Sequence, residues 1–349
     1  MSQDNTVTLR DIAEAVGVSI GTVSLALNDG KGIAPATRQR ILDAAHSLGY
    51  ERFARRMSRT PQTVSILIER LPLAPTSDPF NKTCLLGLEA AARRAGYRIA
   101  LEFVSPDDHP ETDHWTPEVT AGLIILGGGD LSAEWVQAAV DSQLPVVMLD
   151  HFVPGIDLPA VVPDNFSGAF TMTQHLQEMG HARIGFIRGP SKYWTLGERL
   201  AGYMLAMQRA GLGPDPDLIP PRISRGDEKG YGEMLRLLDL PEPPTAVFAV
   251  SDKTALGAYR AAQDRGLTIP HDISIVGFDD IEIARVLNPP LTTVQTPGET
   301  MGQVAFDRLL GLIENPEQIA SLSPVPILPI KWTIPTKLVI RKSVRDLRG

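Results

Sequence analysis

TLRDIAEAVGVSIGTVSLALN, residues 8–28, reads as two short helices joined by a tight turn. Thr8 can act as an N-cap with Asp11 three positions on as its capping-box partner, so a helix is expected to begin at Leu9. Leu9, Ile12, Ala13 and Val16 recur at helical spacing and form one apolar face, while Arg10, Asp11 and Glu14 face water. Gly17 ends this helix. Val18 follows as a buried plug, and Ser19 caps a second helix through Asn28 whose inward face is Val23, Ala26 and Leu27. Ile20, Gly21, Thr22, Ser24, Leu25 and Asn28 are then left facing outward. A third helix begins with Pro35 at its first position, runs on Ile41, Ala45 and Leu48, and stops at Gly49. Three helices in about 45 residues suffice for a small DNA-reading module whose second helix lies in the major groove. On periodicity alone, a helical hairpin without a nucleic-acid role is the plainer alternative.

From Thr63 onward the pattern changes. The apolar runs VSILI, YRIALEF, AGLIIL, PVVML, RIGFI, TAVFAV and ISIVGF are short and rich in β-branched residues, as strands buried on both sheet faces are. Helical stretches at 81–95, 131–142, 166–179, 195–210 and 252–265 separate most of them. Such alternation implies right-handed crossovers and parallel sheets. The number of strands points to two doubly wound lobes rather than one.

Composition agrees with a two-part chain. Residues 1–60 carry eight Lys and Arg against six Asp and Glu, whereas the remainder carries 25 against 35, for a net charge of −8 over 349 residues. A basic end on an acidic body confines any contact with phosphate to that end. The single cysteine, Cys84, excludes an internal disulfide and makes no zinc site by itself. No apolar run reaches the length of about 18 residues that a membrane span needs, and the polar N-terminus does not read as a signal peptide, so a cytoplasmic protein is expected. Gly127-Gly128-Gly129-Asp130 follows a strand, yet neither GxGxxG nor GxxxxGK[ST] is present, and a tight turn accounts for it better. With no GxSxG elbow, no HExxH and scattered histidines, an enzyme is not expected, and no cofactor or metal is implied.

VTLRDIA at 7–13, AVGVSIGTVSLALN at 15–28 and TRQRILDAAHSLGY at 37–50 resemble the headpiece of the lactose/galactose repressor (LacI/GalR) family. The resemblance implies that Ile20, Gly21 and Leu25 choose the operator sequence, and that Ser19, Thr22, Ser24, Asn28, Thr37 and Tyr50 hold phosphate and backbone, with Thr8 and Leu9 also on the DNA side. None of the three reading residues has a hydrogen-bonding side chain, so apolar contact with thymine methyls and close backbone approach at Gly21 must serve instead. The segment ERFARRMSRT, 51–60, matches the family's hinge through Ala54-Arg55, with Met57 as the apolar wedge that kinks the minor groove. The family's extra residues before this helix, usually including a proline, are missing here. A solvated basic linker is the alternative.

RIGFIRGP, ERLAGYMLAM, VFAVSDKTALGAYRAAQDRGLTIPHDISIVGFDD and PPLTTVQTP are similar to the family's periplasmic-binding-protein-like core. The implied organisation is a helix-turn-helix headpiece at 1–50, a hinge at 51–62 and a core at 63–349. Within that core, lobe 1 takes about 63–162 and 292–324, and lobe 2 about 163–291 and 325–345. The effector is expected between the lobes, at the carboxyl ends of their strands. By position, Arg199 is the gripping arginine and Asp279 the carboxylate for adjacent hydroxyls. Asp150 and Phe80 are further candidates, and Ser251 stands where relatives often have asparagine. Arg225 replaces an expected stacking aromatic, a role that Tyr193 or Trp194 takes over. Each has a structural alternative: Arg199 with Asp279 as a stabilising ion pair, Phe80 as core, Arg225 as a solvated side chain. The expected protein is a homodimeric regulator of double-stranded operator DNA, with a sugar or sugar derivative as effector. A nucleobase co-repressor, or a sugar-binding module without a regulatory role, is the alternative.

Overall fold

A computed structural model of the chain describes residues 7–27, 33–48, 63–69, 78–105, 109–127, 133–153, 155–213, 215–223, 228–314 and 330–348. It divides into two compact units, Met1–Gln62 and Thr63–Gly349.

The first unit holds α1 (Leu9–Val16), α2 (Ile20–Leu27) and α3 (Pro35–Ser47). Asp11 reaches back to the N-cap, accepting from the Thr8 backbone N at 2.6 Å and from Thr8 Oγ1 at 2.8 Å. Gly17 turns the chain out of α1 at φ 73°, a left-handed conformation that costs glycine no Cβ clash. Ile12, Ala13, Val16, Val23, Ala26, Ile41 and Ala45 form the core. Arg38 donates to the Ala26 carbonyl at 3.3 Å and Arg40 to the Val16 carbonyl at 3.1 Å, so α3 supplies cations to the negative ends of both preceding helices. Leu48, expected in the core, lies exposed because α3 ends at Ser47 and the following residue leaves the buried face.

The second unit begins with β1 (Thr63–Glu69), α4 (Pro79–Ala95), β2 (Arg98–Val104), β3 (Thr120–Leu126), α5 (Ala133–Asp141), β4 (Val146–Leu149) and β5 (Ala160–Pro163). It continues with α6 (Asn165–Glu178), β6 (Ile184–Ile187), α7 (Trp194–Arg209), α8 (Tyr231–Leu238), β7 (Ala246–Ala249), α9 (Asp252–Asp264), β8 (Ser274–Val276), α10 (Glu282–Val286) and β9 (Thr293–Gln295). It closes with α11 (Gly298–Glu314), β10 (Lys331–Ile334) and β11 (Lys337–Val339). Lobe 1 is a six-stranded sheet in the order β2-β1-β3-β4-β5-β10, parallel throughout. Its chain order reverses between β1 and β3, which opens a crevice at the carboxyl ends of those strands. Lobe 2 pairs β6, β7 and β8 in parallel, and bridges from Val276 to Thr292 and from Asp279 to Gln295 continue it to β9.

Four expectations change. Thr293–Gln295 belongs to lobe 2, not lobe 1, because β9 joins the second sheet and pairs with β11. Lys331–Ile334 belongs to lobe 1, not lobe 2, because β10 pairs with β5. The crossings therefore fall at about residues 164, 296 and 335, after paired strands rather than at the ends of apolar runs. The run YRIALEF is not buried on both faces. As β2 it is the sheet edge, with Leu101 and Phe103 exposed and only Val104 buried. Finally, β9 and β11 run antiparallel, the one departure from parallel pairing among the described strands.

Candidate functional site

In the headpiece, Ser19 accepts from the Thr22 backbone N at 3.1 Å and its hydroxyl pairs with the Thr22 hydroxyl at 2.8 Å, so Ser19 fixes the start of α2. Ile20 and Leu25 are 43% and 47% exposed. Gly21 is exposed beside them, so all three lie on the outer side of α2. Ser24 and Thr37 are half-buried on their helices, and Thr8 and Leu9 sit at the start of α1. Asn28, Tyr50, Arg55 and Met57 lie outside the described residues.

In the core, a cavity of about 500 Å³ opens between the lobes and is lined from both sides. Six of the eight expected effector residues meet there: Phe80, Asp150, Tyr193, Arg199, Ser251 and Asp279. Trp194 does not. It is 51% exposed and packs edge-on against Phe152 at 5.7 Å, because it begins α7 on the helix's outer side. Arg225 lies outside the described residues.

The two α/β sheets explain the convergence. Lobe 1 contributes the ends of β1, β3 and β4 as Glu69, Leu126 and Asp150, together with the start of α4. Asp78 caps α4, accepting from the backbone N of Phe80 at 3.0 Å and of Asn81 at 3.4 Å. Lobe 2 contributes the loop after β6, the Ser251 cap of α9 and Asp279 beyond β8. Asp150 and Asp279 hold left-handed backbone, with φ of 61° and 111°. Such strain in aspartates at strand ends is typical of sites where function fixes the side chain.

Arg199 organises lobe 2's wall. Only 4% exposed, it donates through Nε to Asn165 Oδ1 at 2.8 Å and through Nη1 to the Val250 carbonyl at 2.8 Å. Its Nη2 pairs with Asp279 Oδ1 at 2.9 Å, and its guanidinium lies 3.8 Å from the centre of the Phe278 ring. Arg199 and Asp279 are thus both an ion pair and a cavity wall. Three of five guanidinium N–H groups are used in these bonds.

Acids crowd this arginine. Burial pushes Asp150 up to about 7, with Arg199 opposing and the neighbouring Asp279 and Asp78 charges adding to the rise. Its Oδ1 is buried and has no hydrogen-bond partner among the described residues. A buried polar atom left in this state marks a place for a ligand or water. Burial also raises Asp279 and Glu69, against the pull of Arg199 on the first and of Lys192 and Lys229 on the second. Tyr193 is pushed up to about 12, chiefly by burial, and stays a neutral donor.

Residues that the sequence did not single out complete the cavity: Glu69, Asp78, Asn81, Arg222, Lys229 and Lys253. Lys253 pairs with Asp78 across the cleft, and Lys331 of lobe 1 pairs with Glu198 of lobe 2 at 2.7 Å. Asp78 was legible as a helix cap before Pro79, but its partner 175 residues away was not. Among the described residues no group of His, Cys, Asp and Glu is arranged to hold a metal, and no helix is long and apolar enough to cross a membrane.

The raised Asp150 gives a pH test. Because the folded pKa lies above the unfolded value of 3.8, the folded chain keeps a proton that the unfolded chain has lost, so this group's contribution to stability falls as pH rises toward 7. Asp150→Asn should therefore gain melting temperature relative to the parent between about pH 4 and pH 8, most of it below about pH 7. A difference that stays flat across that range would show that Asp150 titrates normally.

Known proteins carry the same two parts. Residues 8–52 match the bacterial regulatory proteins of the lacI family, and residues 173–344 match the periplasmic binding protein-like domain. The chain is 34% identical over 356 aligned residues to the HTH-type transcriptional repressor CytR of Escherichia coli (strain K12), covering 99% of this chain and 98% of that one. It is 30% identical to the ribose operon repressor of Haemophilus influenzae, covering 89% and 93%. A solved complex of the transcriptional regulator CelR with cellobiose superposes with a TM-score of 0.68 at 28% identity, covering 97% and 99%. With an apolar-faced helix-turn-helix at one end and a two-lobed cleft in its core, the chain belongs to the lacI family of bacterial transcriptional regulators, which are not enzymes.

Proposed function

We propose that this regulator is a homodimeric repressor whose operator affinity is set by a polyhydroxylated effector, a sugar or sugar derivative, held between the two lobes. The observation that carries the reading is the cleft itself. Asp78, Asp150 and Asp279 offer acceptors around the Arg199 fork, and Phe80 and Tyr193 supply ring faces. Carboxylates and a planar arginine suit adjacent hydroxyls, and aromatic faces suit a sugar ring. That the similar regulator CelR is found in complex with cellobiose supports a carbohydrate as the effector. Symmetric half-sites need a two-fold protein, which supports the dimer. A ligand that binds the two lobe arrangements with different affinity needs a coupling of only about 1 to 3 kcal/mol to change operator affinity tenfold or more.

The test has two steps on the full chain. A binding-site selection should yield a two-fold symmetric site with thymines opposite the outer face of α2. Leu25→Ala should weaken binding by about 1 kcal/mol per half-site and relax the base preference there. A thermal-shift screen of sugars, sugar acids and purines should then give a carbohydrate that stabilises the protein by about 2.7 kcal/mol at 100 times its dissociation constant and releases the operator. A purine as sole hit would overturn the carbohydrate reading, and a preference unmoved by Leu25→Ala would overturn the assigned reading face.

A further inference from the structure

Next to the effector cleft, along residues 188–201, lies a second chamber of about 700 Å³. Its volume is that of a pocket for a whole small molecule. Trp194, Leu196 and Leu200 give it an apolar wall. Gly197 opens that wall further: a Cβ added there would meet nothing within 4 Å. Trp194 is exposed beside it.

The charge around this apolar wall is one-sided. Arg188, Lys192 and Arg222 line the chamber, against a single carboxylate, Glu198. Glu198 is already engaged, accepting from Lys331 at 2.7 Å and from Asn165 Nδ2 at 3.3 Å. Among the described residues, neither Arg188 nor Arg222 has a carboxylate within ion-pair distance. An apolar wall under two guanidinium groups suits a molecule with an apolar body and an anionic head, since guanidinium prefers planar oxyanions. A neutral apolar ligand would leave the charge unanswered, and a neutral sugar would likewise offer no anionic head to the two guanidinium groups.

We propose that this chamber is a second small-molecule site, separate from the effector cleft, for an aromatic or branched-aliphatic organic anion whose head is met by Arg188 and Arg222. Gly189, Pro190, Lys192, Tyr193, Leu196 and Arg222 line both cavities, so the two ligands share a wall.

The experiment uses anilinonaphthalene sulfonate, a fluorescent aromatic anion, with the full chain, and its uncharged parent phenylnaphthylamine as comparison. Saturable binding with one probe per chain is expected, about tenfold or more tighter for the anion than for the neutral compound. Gly197→Leu, which fills the chamber, and Arg188→Gln, which removes a cation, should each weaken the probe about tenfold with the melting temperature kept. Phe80→Ala, in the effector cleft only, should leave probe affinity unchanged. Should Gly197→Leu fail to fold, Arg188→Gln and Ala201→Leu decide the matter. Equal affinity for the two probes, insensitivity to the chamber substitutions, or loss on Phe80→Ala overturns the proposal. Binding that emerges only when dilution dissociates an oligomer would also overturn it, because the chamber is then closed by a second copy of the chain.

Discussion

Arg199→Ala is expected to lower stability by about 3 to 5 kcal/mol and to abolish the effector response, because it strands a buried carboxylate. Asp279 loses its partner at 2.9 Å, and Asn165 Oδ1 and the Val250 carbonyl each lose a donor at 2.8 Å. The Phe278 ring also loses the guanidinium stacked 3.8 Å from its centre. Arg199→Met restores volume but not charge and should remain destabilised. The double replacement Arg199→Met with Asp279→Asn should recover part of the loss, since no charge is then left unpaired and asparagine tolerates the left-handed backbone at 279. Urea unfolding measures the stability, and effector-dependent operator release measures the response. A single-variant loss under about 1 kcal/mol would mean that the pair does not hold lobe 2's wall.

Gly87→Ala is expected to destabilise the core by about 1 to 3 kcal/mol and to weaken the effector, although alanine favours a helix. A Cβ at Gly87 would stand 2.0 Å from the Glu299 carbonyl oxygen and 2.9 Å from the Glu299 Cα. Both neighbours are backbone, so α4 and α11 must part. Asp78 and Phe80 sit at the start of α4, and the displacement reaches the cleft through them. Gly197→Ala is the counterpart within the same core. Nothing lies within 4 Å of its added Cβ, so melting temperature should rise slightly as the helix gains propensity. Equal responses at the two glycines would show that close helix approach is not what Gly87 provides.

Much of the site was legible because local chemistry marks it. Thr8 with Asp11, Gly17, and Ser19 before an apolar run mark the ends of α1 and the start of α2 without any tertiary knowledge. Ile20, Gly21 and Leu25 could be placed outward from period alone, since Val23 and Ala26 claim the inner face. Arg199 and Asp279 were reachable through the motifs that contain them. Trp194 was misplaced because a residue at a helix start shares a loop with Tyr193 but not its direction. Arg222, Lys229 and Lys253 carried no signal, because an isolated cation in a sequence reads as a solvated side chain.

By itself the sequence determined the order of helices and strands, the division between a small helical headpiece and an α/β core, and the family. These follow from caps, periodicity and motifs, each spanning a few neighbouring residues. Which lobe owns Thr293–Gln295 and Lys331–Ile334 was decided only by tertiary structure, because strand ownership is settled by hydrogen bonding to β5, β8 and β11 rather than by an apolar run. The crowding of Asp78, Asp150 and Asp279 around Arg199 was likewise decided there, since burial and mutual charge arise only when segments far apart in sequence meet in one cleft.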